Sequence, residues 1–436
     1  MQTQKLSLPA AILININIML GAGIFINTPD LAQRAGWLGF LAYALVGILM
    51  LPLILTIAEL LRRHPTTGFY GFGASEIHPF IGFISTWSYF TSKLASCTIM
   101  IHASVRFIQH LVPALASTSP YIFDVTLITF FLLCNMLNMK TGSTIQKVFI
   151  GFKMLPVFFI IISGLIFFNA DALTIVPQST HDFLTTIPLV LYAILGFEAA
   201  CSISNQIENP QKNAPLAVLI SFGIVITLSL LYQFFFYAIM GSDLAGAHYS
   251  SIFGMYIDKI IPLSQALRMK LLGLMQLGIA ISMLGGAYGI YFSNSWNLNT
   301  LANYKHIYFS DLFTKLNKHA IPYMCILTEG FLTFLYLGIT RGDAIPLRQL
   351  SAFGSTITYT LSALALVAAL WRNPTSKVWS VIAWLAVCNC MILLASCINN
   401  FMINGIQTLY AFIIILIFGS VMYVTTQNNQ TSTQNN

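Results

Sequence analysis

The sequence predicts an all-α polytopic membrane protein of about twelve transmembrane helices, and three observations carry that prediction. Of 436 residues, 57% are hydrophobic and only 8% charged, where soluble domains carry roughly a quarter charged residues. The mean hydropathy is +0.79. Apolar runs of roughly 20 residues, the length that crosses a bilayer as a helix, recur along the whole chain and leave no stretch for a soluble domain.

The runs fall at about 9–32, 37–61, 81–111, 121–139, 148–169, 183–205, 215–240, 268–296, 321–340, 346–371, 377–398 and 402–425, so residues about 1–425 are expected to form one integral membrane domain. The third and eighth are long and expected to tilt. Residues 426–436 form a polar Gln/Asn/Thr tail, expected to be disordered. Met1–Ser7 is short and polar, and the run after it is too long for a signal-peptide core. With the N-terminus inside, twelve Lys/Arg lie on the cytoplasmic side and seven outside, with Lys93 left in mid-span. That bias and the even number of spans place both termini in the cytoplasm, with the chain in the cell (inner or plasma) membrane. The net charge of +7 belongs to these loops, since no basic block with interleaved aromatics offers a nucleic-acid surface. The seven Cys lie in or beside apolar runs without metal-ligand spacing, and are expected to pack.

The first run holds Asn15-Ile-Asn-Ile-Met-Leu-Gly-Ala-Gly-Ile-Phe25. Glycines at that depth weaken a helix. Backbone groups they free cost several kcal/mol each in hydrocarbon unless protein or a wet cavity receives them. The sixth run repeats the feature in Leu195-Gly-Phe-Glu198, with a carboxylate near mid-membrane. Such a charge normally faces a cavity or a partner. Runs one and six are five apart and so cross the membrane in opposite directions. Two interrupted spans in corresponding halves point to a transporter site at the midplane. The broken ends favour anions at helix N-termini and cations at C-termini, which suits a zwitterion or an amine.

These residues resemble the amino acid–polyamine–organocation (APC) superfamily of permeases. Gly21-Ala-Gly-Ile-Phe25 is similar to the first-helix signature, and Ala58-Glu-Leu60 with His64-Pro-Thr-Thr-Gly-Phe-Tyr70 to the stretch closing helix two, with Phe69 in place of a glycine. Gly196-Phe-Glu198, Glu208-Asn-Pro-Gln-Lys-Asn-Ala-Pro215 and Asp311–Pro322 resemble helix six, its following loop and the stretch before helix nine. The resemblance implies a five-plus-five inverted repeat, with discontinuous helices one and six. Its first repeat would cover about 9–169, its second about 183–371, and two extra helices about 377–425.

It also implies that backbone groups at Leu20, Gly21, Ala22 and Gly23 hold a substrate carboxylate, and that Leu195, Gly196, Phe197 and Glu198 hold its amino group. Tight helix crossing is the competing account of the glycines. Glu198 could equally be a carboxylate pinned by backbone amides or by a neighbouring span. Tyr192 falls at the position of an aromatic gate, and Tyr288 or Tyr291 could line the opposite wall. Cys97 and Ser355 or Thr356 are pocket candidates by position. Lys153, in Phe152-Lys-Met-Leu-Pro156, matches the lysine that takes the place of a sodium ion in proton-dependent relatives. Partial desolvation would let it gain and lose a proton, although it can also snorkel. Lys93 is expected to pair with Glu198 or Glu59, or else to recognise an anionic substrate group. Glu329 and His102 stay outside the site list.

The function expected is secondary active transport of an amino acid or related amine by alternating access, through proton-coupled symport or exchange. Alternatives are an amino acid/polyamine antiporter or a sodium-coupled symporter. No P-loop occurs, so ATP does not drive it directly. No cofactor or metal is expected, the energy source being a proton gradient or a counter-substrate. A membrane-embedded transferase would need paired His or carboxylate groups at a membrane face. A non-transporting sensor would need a signalling domain. Neither is found in the sequence. The partners expected are the small-molecule substrate and lipid, with the oligomeric state open.

Overall fold

A computed structural model describes residues 5–21, 23–174, 180–249, 251–260, 264–374 and 376–434. The chain folds into helices α1 (Leu8–Met19), α2 (Gly23–Ala35), α3 (Gly39–Arg63), α4 (Gly68–Glu76), α5 (Pro79–Leu111), α6 (Pro120–Asn135), α7 (Met139–Ile166), α8 (Thr180–Leu184), α9 (Ile187–Ile194), α10 (Ala199–Ser202), α11 (Pro210–Met240), α12 (Ile252–Ile260), α13 (Gln265–Asn303), α14 (Ser310–Phe313), α15 (Tyr323–Thr340), α16 (Ala344–Arg372), α17 (Lys377–Asn404) and α18 (Gln407–Gln434). Among the described residues there is no β-strand, only an isolated parallel bridge between Leu6 and Ile207.

Local chemistry sets the helix starts. Proline occupies a first-turn position of α1, α5, α6, α9 and α11, where its missing N–H would be unpaired anyway. The side chains of Asn138, Asp343 and Ser376 accept from the amides of Thr141, Ile345 and Val378, capping α7, α16 and α17.

Eight helical stretches among the described residues are long and apolar enough to cross a membrane, one of them running from Gly23 to Arg63 through α2, a short turn and α3. The chain is a multi-pass membrane protein. Shorter apolar helices appear where the expected runs are interrupted: α1 stops at Met19 and α9 at Ile194. The core is built on α5, α13 and α16, whose side chains are largely buried, including the polar ones. On α17 and α18, Ile392, Met402, Ile403, Ile414 and Phe418 lie exposed, as a lipid-facing surface requires.

The C-terminal end differs from the expectation. α18 continues as helix to Gln434 instead of ending near residue 425. Thr425 and Thr426 hydroxyls bond back to the carbonyls of Val421 and Met422. Tyr308 reaches Thr425, and Gln427 reaches His306 Nδ1 at 2.9 Å. Polar residues that compete with a free helix are held here by the loop after α13.

Candidate functional site

The first break forms where α1 loses its ladder. Gly21 N turns to Met19 O at 2.8 Å, which leaves Asn17 O without its expected intrahelical donor. Lys153, fully buried on α7, supplies one: its Nζ donates to Asn17 O at 2.6 Å and Leu20 O at 2.7 Å. Ser282 Oγ also donates to Leu20 O, at 2.8 Å. The Asn17 side chain ties the same turn to Gly285 O (2.8 Å) and to Gln146. An ammonium on exposed carbonyls at a helix C-terminal end is the favourable sign of charge. Helix resumes at Gly23, where an added Cβ would sit 2.6 Å from Ala193 Cα. Ala22 lies outside the described residues.

The second break spans Leu195 to Glu198. Gly196 has φ +120°, and a Cβ there would come 2.7 Å from Ile18 Cγ2, so glycine is required on two counts. Glu198 is held in three ways: Gly196 N donates to Oε2 (3.0 Å), Tyr89 OH donates to Oε1 (3.2 Å), and Lys93 Nζ sits 2.7 Å from Oε1. Of the two partners expected for Lys93, the structure selects Glu198. Glu59 instead bonds Arg62 and Arg63.

One side chain joins the two breaks. Asn15 Nδ2 donates to Phe197 O (2.7 Å) and Ser221 Oγ (3.2 Å), and its Oδ1 accepts from Ala200 N (2.9 Å). On the other side of the breaks, Asn27 Nδ2 donates to Leu189 O (2.7 Å). At the face bearing the N-terminus, Leu6 N donates to Gln206 O (2.7 Å), and Leu6 O accepts from Glu208 N (2.9 Å). These backbone bonds tie the segment before α1 to the segment after α10.

Between the breaks is a cavity of about 30 Å³, lined by Ile18, Met19, Gly21, Gly23, Lys93, Ser96, Met100, Ala193, Leu195, Ile290 and Ser351. A second cavity of about 30 Å³, lined by Gly23, Asn27, Met100, Met283 and Arg348 among others, adjoins it away from the N-terminal face. A third, of about 280 Å³, shares Asn27 and Arg348 with the second and Leu195 with the first. The central space has room for one or two waters, so an amino acid needs the breaks to part.

Of the residues singled out from the sequence, Gly21, Gly23 and Leu195 line the central cavity, and Leu20 turns its carbonyl to Lys153 and Ser282. Gly196, Phe197 and Glu198 build the second break without lining the cavity. Phe197 packs its ring on Tyr359 at 5.7 Å. Cys97 points elsewhere, its Sγ 3.4 Å from Ala287 O. Tyr288 is buried against Phe131 and Phe149, ring centroids 5.5 and 5.7 Å away, and lines none of the three cavities. Thr356 lines the third cavity. Ser355 lines none of the three, its hydroxyl being 3.4 Å from that of Ser92. The side chain of Tyr192 lies outside the described residues. Asn15, Ser96, Met100, Ser282 and Ser351 were missed. Ser96 had a signal, standing three residues from Lys93 and so on the same helix face.

Two facing helix breaks cross-linked around a polar cavity, inside a bundle of membrane-length helices, define a transmembrane transporter. The chain belongs to the amino acid permease family, whose profile matches residues 6–424. It is also similar to proteins described as uncharacterized transporters from Mycobacterium bovis and Mycobacterium tuberculosis. Each is 22% identical over 313 residues, covering 70% of this chain and 67% of the relative.

Proposed function

We propose that this chain is a secondary active amino acid permease of the cell membrane that works by alternating access. On this reading it has twelve spans in a five-plus-five inverted repeat plus two helices, with both termini cytoplasmic. The substrate's carboxylate meets the start of α2 at Gly21–Gly23, and its amino group meets the second break at Leu195–Glu198. The observation that carries the reading is the ammonium of Lys153 on Asn17 O and Leu20 O, which links a titratable group to the backbone of the first break. When Lys153 gives up its proton, its charge-assisted hold on those carbonyls weakens and α1 is freed to shift against α7. Proton movement and opening of the site are thereby one event. Sodium coupling is disfavoured, because the ammonium fills the position a cation would take.

Purified protein in liposomes tests this. With an imposed pH gradient and no sodium, a labelled amino acid accumulates above its external level, and an uncoupler abolishes the accumulation. Exchange without accumulation would favour antiport. Failure of every amino acid to accumulate, exchange or bind would reject the proposal.

A further inference from the structure

Lys93 has no task in the transport reading. It lies on α5, 4% exposed, and lines the central cavity. Its one carboxylate partner among the described residues is Glu198, and the ring of Tyr89 lies 5.0 Å from its Nζ. An ammonium has three N–H donors, so donors remain for a guest beyond the one given to Glu198. Next to it on the cavity wall, Ser96 and Ser351 bring their hydroxyls together from α5 and α16. The cavity is therefore polar on the wall made by α5 and α16, apart from the two breaks that would hold the common amino acid groups.

Charge sharpens the picture. Lys93 and Lys153 are both buried beside the breaks, and Glu198 is the one carboxylate bonded to either of them. No Asp or Glu is among the described residues lining the central cavity. Glu329 is buried on α15 and does not line it. With Lys153 protonated, Lys93, Lys153 and Glu198 together carry one positive charge in excess. A zwitterion leaves that excess uncompensated, and an amine or a cationic amino acid adds to it. A substrate with one further carboxylate cancels it, and buried charges persist where they are paired.

Resting on the permease reading, we infer that the substrate is an acidic amino acid, whose side-chain carboxylate is received by Lys93 with the Ser96 and Ser351 hydroxyls. Met100, shared by the first two cavities, is the flexible side chain whose movement joins them.

The test is counterflow in proteoliposomes loaded with unlabelled substrate, comparing glutamate and aspartate with glutamine, asparagine, alanine, lysine and putrescine. The acids are expected to be preferred over their amides by about tenfold to a hundredfold, the worth of a charge-assisted hydrogen bond. Lys93→Gln alone leaves Glu198 buried and unpaired, so Lys93→Gln with Glu198→Gln is the variant of choice, with folding checked by a monodisperse gel-filtration peak. It should bring the acid-to-amide ratio down to about one, read both as counterflow and as the ligand-induced rise in melting temperature, whatever transport rate remains. Preference for neutral or cationic substrates in the wild type, or an unchanged acid preference in the double variant, overturns the inference and leaves the permease reading standing. No counterflow or binding of any amino acid defeats both.

Discussion

Replacing Lys153 by methionine removes the ammonium and keeps most of the side-chain volume. Leu20 O retains the Ser282 hydroxyl, so the carbonyl left without a donor is that of Asn17. One buried acceptor left unpaired costs about 1–3 kcal/mol. In return the variant no longer buries a charge, a term of several kcal/mol of opposite sign. The fold should therefore survive, with stability within about 3 kcal/mol of wild type either way. Transport should divide sharply. Driven by a pH gradient, the variant fails to accumulate substrate, while counterflow at equal pH persists and loses its dependence on pH. Lys153→Met protein that accumulates substrate under a pH gradient as wild type does would refute the coupling argument. A loss of stability well beyond that range would make Lys153 a structural clamp instead.

The two glycines of the first break should behave differently. A methyl at Gly21 presses only on the flexible end of Met100, at 3.3 Å, with Ile18 O at an ordinary 3.7 Å, whereas one at Gly23 strikes Ala193 backbone at 2.6 Å. Gly21→Ala should leave the melting temperature unchanged and reduce binding by filling the cavity, and Gly23→Ala should lower stability by about 1–3 kcal/mol through overpacking. Equal effects of the two on melting would contradict this geometry. Asn15→Leu strands Phe197 O and Ala200 N, each worth about 1–3 kcal/mol, and should lower the melting temperature clearly in detergent. His306, in the loop after α13, has its pKa pushed by burial from 6.5 to about 4. The unfolded chain therefore binds a proton that the folded one refuses, and stability is full above about pH 6.5 and falls as pH drops toward 4. His306→Gln should flatten melting temperature against pH in that window; an unaltered slope would assign the acid sensitivity elsewhere.

Both breaks were legible because glycine in mid-run is a local signal, needing no knowledge of neighbours. The Lys93–Glu198 pair was legible because charge in hydrocarbon demands a partner, and Lys153 through the resemblance of its flanking residues. What sequence could not provide was the phase of each helix. Ser96 and Cys97 are adjacent, about 100° apart around α5; the serine lines the cavity and the cysteine faces α13. On α13, Ile290 lines the cavity and Tyr288, two residues earlier, is buried among phenylalanines. Periodicity fixes spacing, and packing among several helices decides which stripe faces inward. Asn15 escaped for a related reason: both its partners on the second break lie more than 180 residues away.

The two asparagine bridges divide the bundle in a way its helix order conceals. Asn15 fastens α1 to the start of α10, and Asn27 fastens α2 to α9. Each half of the first broken segment is thus married to a half of the other, while α11 packs against all four pieces. In the alternating access proposed for this chain, a shift of α1 pulls on α10 and a shift of α2 pulls on α9, so the two broken segments are expected to move in matched pairs.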